Sequence, residues 1–182
     1  RPRGATGPPP CIYSIHGGGY IIGSYDMDDA KFDVWCRQHN IVGVSVEYRL
    51  APETPYPGPL EDCYAGLTWT HDHAAELGID AGKMRARRSQ LHEFQLLDCP
   101  MIDDRQETPS SQLDGLIVWS KVSNTFGWRS YLGDRYGTGD IPPYAAAARA
   151  TDLAGLPEAY VCVGGADGFR DEDTIYAMRL YD

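Results

Sequence analysis

The chain has 182 residues, 42% of them from the set AVILMFWYC and 23% charged, with 20 glycines and 13 prolines. That is the length of one domain with a real core, and its glycine and proline content stays below the roughly 25–30% typical of low-complexity chains. A formal net charge of −10 repels phosphate backbones, so nucleic acid is excluded as a general partner, and no stretch approaches the ~18 apolar residues of a membrane span.

Residues 1–10, RPRGATGPPP, are a Pro/Gly-rich lead-in. They carry no apolar h-region and no initiator Met, which reads as a processed, trimmed or incomplete chain without a signal peptide. Cys11–Ile15 is a short apolar strand, broken by three glycines after His16. Asp28–His39 predicts a helix with Phe32, Trp35 and Cys36 on one face. Ile41–Tyr48, IVGVSVEY, has the apolar run of a buried parallel strand. Residues 49–59 contain four prolines and form a loop. Leu60, Cys63, Tyr64, Leu67, Ala74, Ala75 and Leu77 recur at helical spacing, with Pro59 in the first turn and Gly78 as C-cap. Phe94–Leu97 leads a strand FQLLDCPMI, Trp119–Leu132 is a helix ending at Gly133, Ala159–Val163 is a buried strand, and Asp171–Tyr181 is a helix with an acidic first turn. Alternating strands and helices predict an α/β fold with a mainly parallel sheet flanked by helices.

The five cysteines, Cys11, Cys36, Cys63, Cys99 and Cys162, are odd in number and form no CxxC. They read as reduced, buried small hydrophobes, and so as a cytoplasmic protein.

His16-Gly17-Gly18-Gly19 directly follows a strand. Three glycines leave backbone N–H groups unshielded and permit positive φ, so such a loop can aim donors at a developing oxyanion. The plain alternative is a glycine turn beside a core histidine. Neither GxGxxG nor GxxxxGK[ST] can be written here, which argues against a nucleotide site. Further along stand Glu47-Tyr48-Arg49-Leu50-Ala51-Pro52-Glu53 and, late in the chain, Gly164-Gly165-Ala166-Asp167-Gly168-Phe169-Arg170-Asp171-Glu172. HGGG, YRLAPE and the late acidic motif, in this order, resemble the bacterial hormone-sensitive-lipase-like family of α/β-hydrolase esterases, from about Cys11 onward.

The resemblance implies an α/β-hydrolase fold and a Ser–His–Asp triad in the chain order Ser, Asp, His. It implies Asp167 as the triad acid, Gly17, Gly18 and Gly19 as the oxyanion loop with Gly19 the less certain donor, and His16 as that loop's support. The competing role for Asp167 is a helix cap, for which Asp171 is the better candidate. The implied substrate is a small carboxylic ester of short to medium acyl chain. No metal or organic cofactor is implied. A homodimer is left open.

The pattern departs from the family twice. No GxSxG exists in these residues: Gly43-Val44-Ser45-Val46-Glu47 lacks the last glycine and lies inside a strand. The histidines are His16, His39, His71, His73 and His92, none after Asp167. Gly82-Lys83-Met84 runs directly into Arg85-Ala86-Arg87-Arg88-Ser89-Gln90, which resembles the tail of the helix that should follow the nucleophile elbow. About 20 residues, a central strand, a turn and a helix at average lengths, are missing after Met84. A discontinuity is therefore expected near residues 84–91. The chain reads as one partial catalytic domain, 1–182, without the family's N-terminal cap. The alternatives are a non-catalytic ligand-binding relative and an inactive truncated product. His71-Asp72-His73 and Asp26, Asp28 and Asp29 are read as solvated side chains, because i and i+2 on a helix face apart and the acidic spacing lacks a calcium loop's glycine and distal Glu. Trp119, Phe126, Trp128 and Tyr131 are read as core, with one or two as candidates for lining an acyl pocket.

Overall fold

The computed structural model describes residues 7–81 and 94–181. The expected discontinuity and the basic run after Met84 lie outside the described residues. Strand β1 (Cys11–Ile15) pairs in parallel with β2 (Val42–Val46), from Cys11↔Val42 to Ile15↔Val46. Helix α1 (Asp29–His39) makes the crossover and stops at Asn40, which takes the left-handed conformation at φ 53°; Asn tolerates that cap. Phe32 of α1 lies flat on Gly43, where a Cβ would come within 2.6 Å of the ring. Helix α2 (Gly58–Asp72) packs on the same sheet through Gly66 and Cys63. The Tyr13 hydroxyl on β1 donates to the Cys63 carbonyl at 2.9 Å.

The helix expected to continue through Leu77 breaks at His73. That ring stacks on Trp69 at 4.4 Å, and its Nδ1–H bonds the Trp69 carbonyl, which ends α2. A single turn, α3 (Ala74–Leu77), follows and closes on Gly78 at φ 63°, as its C-cap role requires. The periodicity carried through because both helical pieces bury the same side.

Strand β3 (Phe94–Asp98) pairs in parallel with β4 (Glu158–Cys162), from Phe94↔Glu158 to Asp98↔Cys162. β3 is shorter than expected: Cys99 at φ 48° turns the chain while its N–H still donates to the Cys162 carbonyl at 2.8 Å. Helix α4 (Lys121–Leu132) begins two residues later than expected because Ser120 is its N-cap, accepting the Ser123 N–H at 3.2 Å. Helix α5 (Arg170–Tyr181) follows β4.

The strands form two parallel pairs among the described residues, β1–β2 and β3–β4; the central strand read as missing after Met84 would be a further element of the sheet. Lys31 Nζ of α1 reaches across to Asp98 at 3.7 Å. Phe94, Leu96 and Tyr160 on one face of β3–β4 are about half exposed. That is unusual for parallel strands, which are covered on both faces in ordinary α/β proteins. All five cysteines are free, as expected, but only Cys36 and Cys63 are buried, and Cys162 is exposed. No helix among the described residues is long and apolar enough to cross a membrane.

The largest core cluster is built on α4. Trp128, Tyr131 and Leu132 pack with Ile141, Ala146 and Ala51, and Tyr20 and Met101 close it from the sheet side. Trp128 is fully enclosed and its indole N–H is without a partner among the described residues. Trp128→Ala is expected to cost about 3–5 kcal/mol of stability, read from the midpoint of urea unfolding. Trp128→Phe should cost clearly less, since it also removes an unsatisfied donor.

Candidate active site

The glycine loop springs from the C-terminal end of β1. His16 is buried, its ring stacked on Tyr48 at 4.1 Å, and the Tyr48 hydroxyl donates to the His16 carbonyl at 2.8 Å. Gly23 closes the other side, where a Cβ would stand 2.3 Å from His16 Nδ1. The His16 ring therefore props the loop from below. Gly18 sits at φ 115°, and a Cβ there would lie 1.9 Å from the Ile22 carbonyl oxygen, which excludes any side chain. The Gly18 carbonyl accepts the N–H groups of Ile21 and Ile22, both at 3.1 Å. The loop's own carbonyl is thus turned inward and occupied. None of the turn and loop hydrogen bonds among the described residues uses the N–H of Gly17, Gly18 or Gly19, and the space beside Gly17 is open.

The residue after the glycines fixes their position. Tyr20, at φ 68°, stacks on Tyr131 at 4.0 Å, meets Trp128 at 5.6 Å, and donates its hydroxyl to the Met101 carbonyl at 2.8 Å. Its own carbonyl accepts the Ala51 N–H at 2.9 Å. The two motifs that carry the resemblance therefore interlock: Tyr48 holds His16, and Ala51 holds Tyr20. Arg49 of the same segment is pinned to α2 by two bonds from its guanidinium to the Asp62 carboxylate, both 2.7 Å.

Asp167 follows β4. Its carboxylate Oδ1 accepts the Phe169 N–H at 2.9 Å, a turn closed by the side chain two residues back. Expectation and structure differ here. Asp167, not Asp171, bonds the backbone at the entry to α5. Asp171 Oδ2 instead accepts the Ser110 N–H at 2.8 Å, the Asp171 N–H donates to Ser110 Oγ at 2.9 Å, and Arg170 bonds Asp171 Oδ1 at 2.8 Å. Arg170 and Ser110 together hold the Asp171 carboxyl below its ordinary range. Ser110 Oγ also donates to the Gly168 carbonyl at 3.0 Å, so one fully buried serine ties down both sides of the acidic turn. Nothing in the local sequence marks Ser110 for this task beyond its place in a Pro-Ser-Ser turn.

Two contacts relate the glycine loop to the acidic turn. A Cβ on Gly168 would meet Leu116 Cδ1 at 3.3 Å, and one on Gly19 would meet the Trp119 ring at 2.2 Å. Leu116 and Trp119 are three residues apart, a span of at most about 10 Å of extended chain. The Met101–Asp103 segment after β3 makes the second link. It takes the Tyr20 hydroxyl at Met101, and its Asp103 N–H donates to Glu172 Oε1 of α5 at 3.3 Å.

Behind the acidic turn lie two enclosed carboxyls that the sequence placed only as part of an acidic first helical turn. Glu172 and Asp173 are buried, and Glu172 Oε2 and both Asp173 oxygens have no hydrogen-bond partner among the described residues. Burial, with the nearby Asp103 and Asp173 charges, pushes Glu172 up to about 8. Burial, with the Asp167 charge, pushes Asp173 up to about 8. No cluster of His, Cys, Asp and Glu suited to a metal occurs among the described residues.

A family model described as alpha/beta hydrolase fold matches residues 12–85 and 81–182. The chain belongs to the α/β-hydrolase family. Within that family it is similar to esterase LipI of Mycobacterium tuberculosis, 34% identical over 196 residues that take in 94% of this chain and 59% of the relative. The carboxylic ester hydrolase LipN of the same organism is 32% identical over 99% of this chain and 54% of its own length. Among solved structures, a bacterial heroin esterase superposes with a TM-score of 0.91 at 38% identity, covering 98% of this chain and 64% of that one. The chain thus spans under two thirds of these relatives' lengths. The family model matches in two stretches that overlap at residues 81–85.

Ser110→Ala leaves the Gly168 carbonyl and the Asp171 N–H unpaired, and should destabilise by about 1–3 kcal/mol in urea unfolding. The raised Asp173 carboxyl sets a pH dependence. The native state keeps a proton that the unfolded chain releases above its ordinary value of 3.8, so stability falls as pH rises from about 4 to about 8. Asp173→Asn should raise the melting temperature at pH 8 and leave it little changed near pH 4. A constant difference across that range contradicts the assignment.

Proposed function

We propose that the protein of which these residues form a partial catalytic domain is a cytoplasmic carboxylic ester hydrolase for small esters of short- to medium-chain acids. The observation that carries this reading is the glycine loop. Its inner carbonyl is occupied, its N–H groups have no partner among the described residues, and the Leu116–Trp119 segment ties it to the turn that bears Asp167. The names of the relatives support the same chemistry.

In this reading a serine hydroxyl attacks the ester carbonyl and a histidine takes its proton. The Gly17 and Gly18 N–H groups bind the oxyanion of the tetrahedral intermediate, a contribution of about 10²–10³ in rate per donor. The histidine then protonates the leaving alcohol, and water repeats the sequence on the acyl-serine. Asp167 accepts the histidine N–H and stabilises the imidazolium. Its Oδ1 is held by the Phe169 N–H, which fixes the orientation of the carboxylate and leaves Oδ2 for the histidine. The serine and histidine come from sequence outside these 182 residues, the serine from a segment between Met84 and Arg85. Support for that segment comes from the family match in two stretches, from the split into two strand pairs and from the uncovered face of β3–β4.

One observation favours a second reading, an inactive or purely ligand-binding relative: the printed residues hold neither GxSxG nor a histidine after Asp167. The two readings separate on p-nitrophenyl butyrate. The full-length gene product should hydrolyse it, and the 182-residue chain should not. Failure of the full-length product to turn over any short ester contradicts the esterase reading. In the active protein, Asp167→Asn keeps the oxygen that accepts from Phe169 but removes the charge. It should lower kcat by about 10⁴, as the equivalent change does in serine proteases, with little effect on melting temperature. Asp171→Asn should act mainly on stability.

A further inference from the structure

Trp119 stands just before the Ser120 cap of α4, with its benzo ring against Gly19. A Cβ on Gly19 would lie 2.2 Å from ring atoms Cζ2 and Cη2, and Gly127 of α4 is as close behind, where a Cβ would meet the Gly19 carbonyl at 2.9 Å and the same ring at 3.3 Å. The third donor-loop glycine is thus clamped between an indole and a helix backbone. The indole N–H donates to Asn124 Oδ1 at 3.3 Å, and Asn124 is buried with its own N–H on the Ser120 carbonyl. The ring is therefore held from two directions. The apolar residues near it in sequence are exposed: Val118 is 95% exposed, Val122 78% and Phe126 55%. Val122 and Phe126 stand four apart on one side of α4, and Val118 lies just before its cap. A half-buried indole followed by exposed apolar side chains, beside N–H groups without partners among the described residues, is a surface for an apolar group whose polar end sits at the glycine loop.

We propose that Trp119 is the specificity-determining wall of the site: it clamps Gly19 and receives the apolar group of the ester, with Val118, Val122 and Phe126 extending the surface for longer groups. The inference rests on the esterase reading. A wall of this kind favours longer acyl groups by up to about fourfold for each methylene it buries.

The test is the ratio of kcat/KM for p-nitrophenyl hexanoate over acetate, measured on the full-length gene product and on Trp119→Phe and Trp119→Ala. The ratio is taken within one preparation, so partial unfolding cancels. The wild type should prefer the hexanoate. Trp119→Ala should lower the ratio at least tenfold, mostly through KM on the hexanoate, and also lower kcat on the acetate as Gly19 loses its clamp. Trp119→Phe should restore most of the ratio. If the alanine variant does not fold, Trp119→Leu is judged by the same criterion, with a fall of at least threefold expected. A wild type active on both esters whose ratio stays within twofold in the variants overturns the proposal and leaves the esterase reading standing. A wild type that hydrolyses neither ester overturns that reading, and the wall with it.

Discussion

The position of the glycine loop depends above all on Tyr20, the residue that follows the HGGG motif. Three consecutive glycines have no intrinsic preference for the conformation observed, with φ 115° at Gly18 and 60° at Gly19, and ordering such residues costs more backbone entropy than any others. Tyr20 offsets that cost immediately after them. Its ring is stacked on Tyr131 and set against Trp128, its hydroxyl is spent on Met101 and its carbonyl on Ala51. The aromatic contacts are each worth about 0.5–1.5 kcal/mol beyond their buried area, and the hydrogen bonds about as much again. Because Tyr131 and Trp128 belong to the largest core cluster, the loop is anchored directly to the core. Donors held rigidly cost no reorganisation when charge develops, and that is the physical content of an oxyanion hole.

The same segment after β3 that anchors Tyr20 also reaches α5, and there the structure accepts a cost. Asp103 is paired with Arg105 and Asp104 with Arg149, so two of the buried acids on this side are compensated. Glu172 and Asp173 have no cationic partner among the described residues, and burial shifts both towards the protonated form. Burial is the larger cause for both, and the Asp167 charge adds to it at Asp173.

Much of the architecture was legible in the residues. β1, α1, the turn at Gly78 and the strand before Asp167 follow from apolar period and cap chemistry. The helix break at His73 was not legible, because it depends on a ring stacking on Trp69 and bonding its carbonyl, while the apolar spacing runs on undisturbed. The division of labour between Asp167 and Asp171 was hidden for a similar reason. Both are acidic residues at the start of a helix, and only the tertiary position of Ser110 draws Asp171 away from the backbone it was expected to cap. Trp119 and Tyr20 carry no local signal either, since an aromatic beside a glycine or before a serine reads as core until the glycine that it covers is known. The two separate strand pairs go with a sequence that runs from Met84 straight into Arg85, without the strand that the α/β-hydrolase order places there.

The central claim is that the Gly17 and Gly18 N–H groups are the donors for a developing oxyanion. A crystal structure of the full-length gene product after reaction with an alkyl phosphonate ester tests it most directly, because the phosphonyl oxygen stands where the oxyanion forms. The account predicts a covalent adduct on a serine encoded between Met84 and Arg85, with that oxygen about 2.7–3.1 Å from the Gly17 and Gly18 nitrogens and Asp167 bonded to the adjacent histidine. An adduct whose oxygen points away from the glycine loop, or no adduct on any serine, would contradict it.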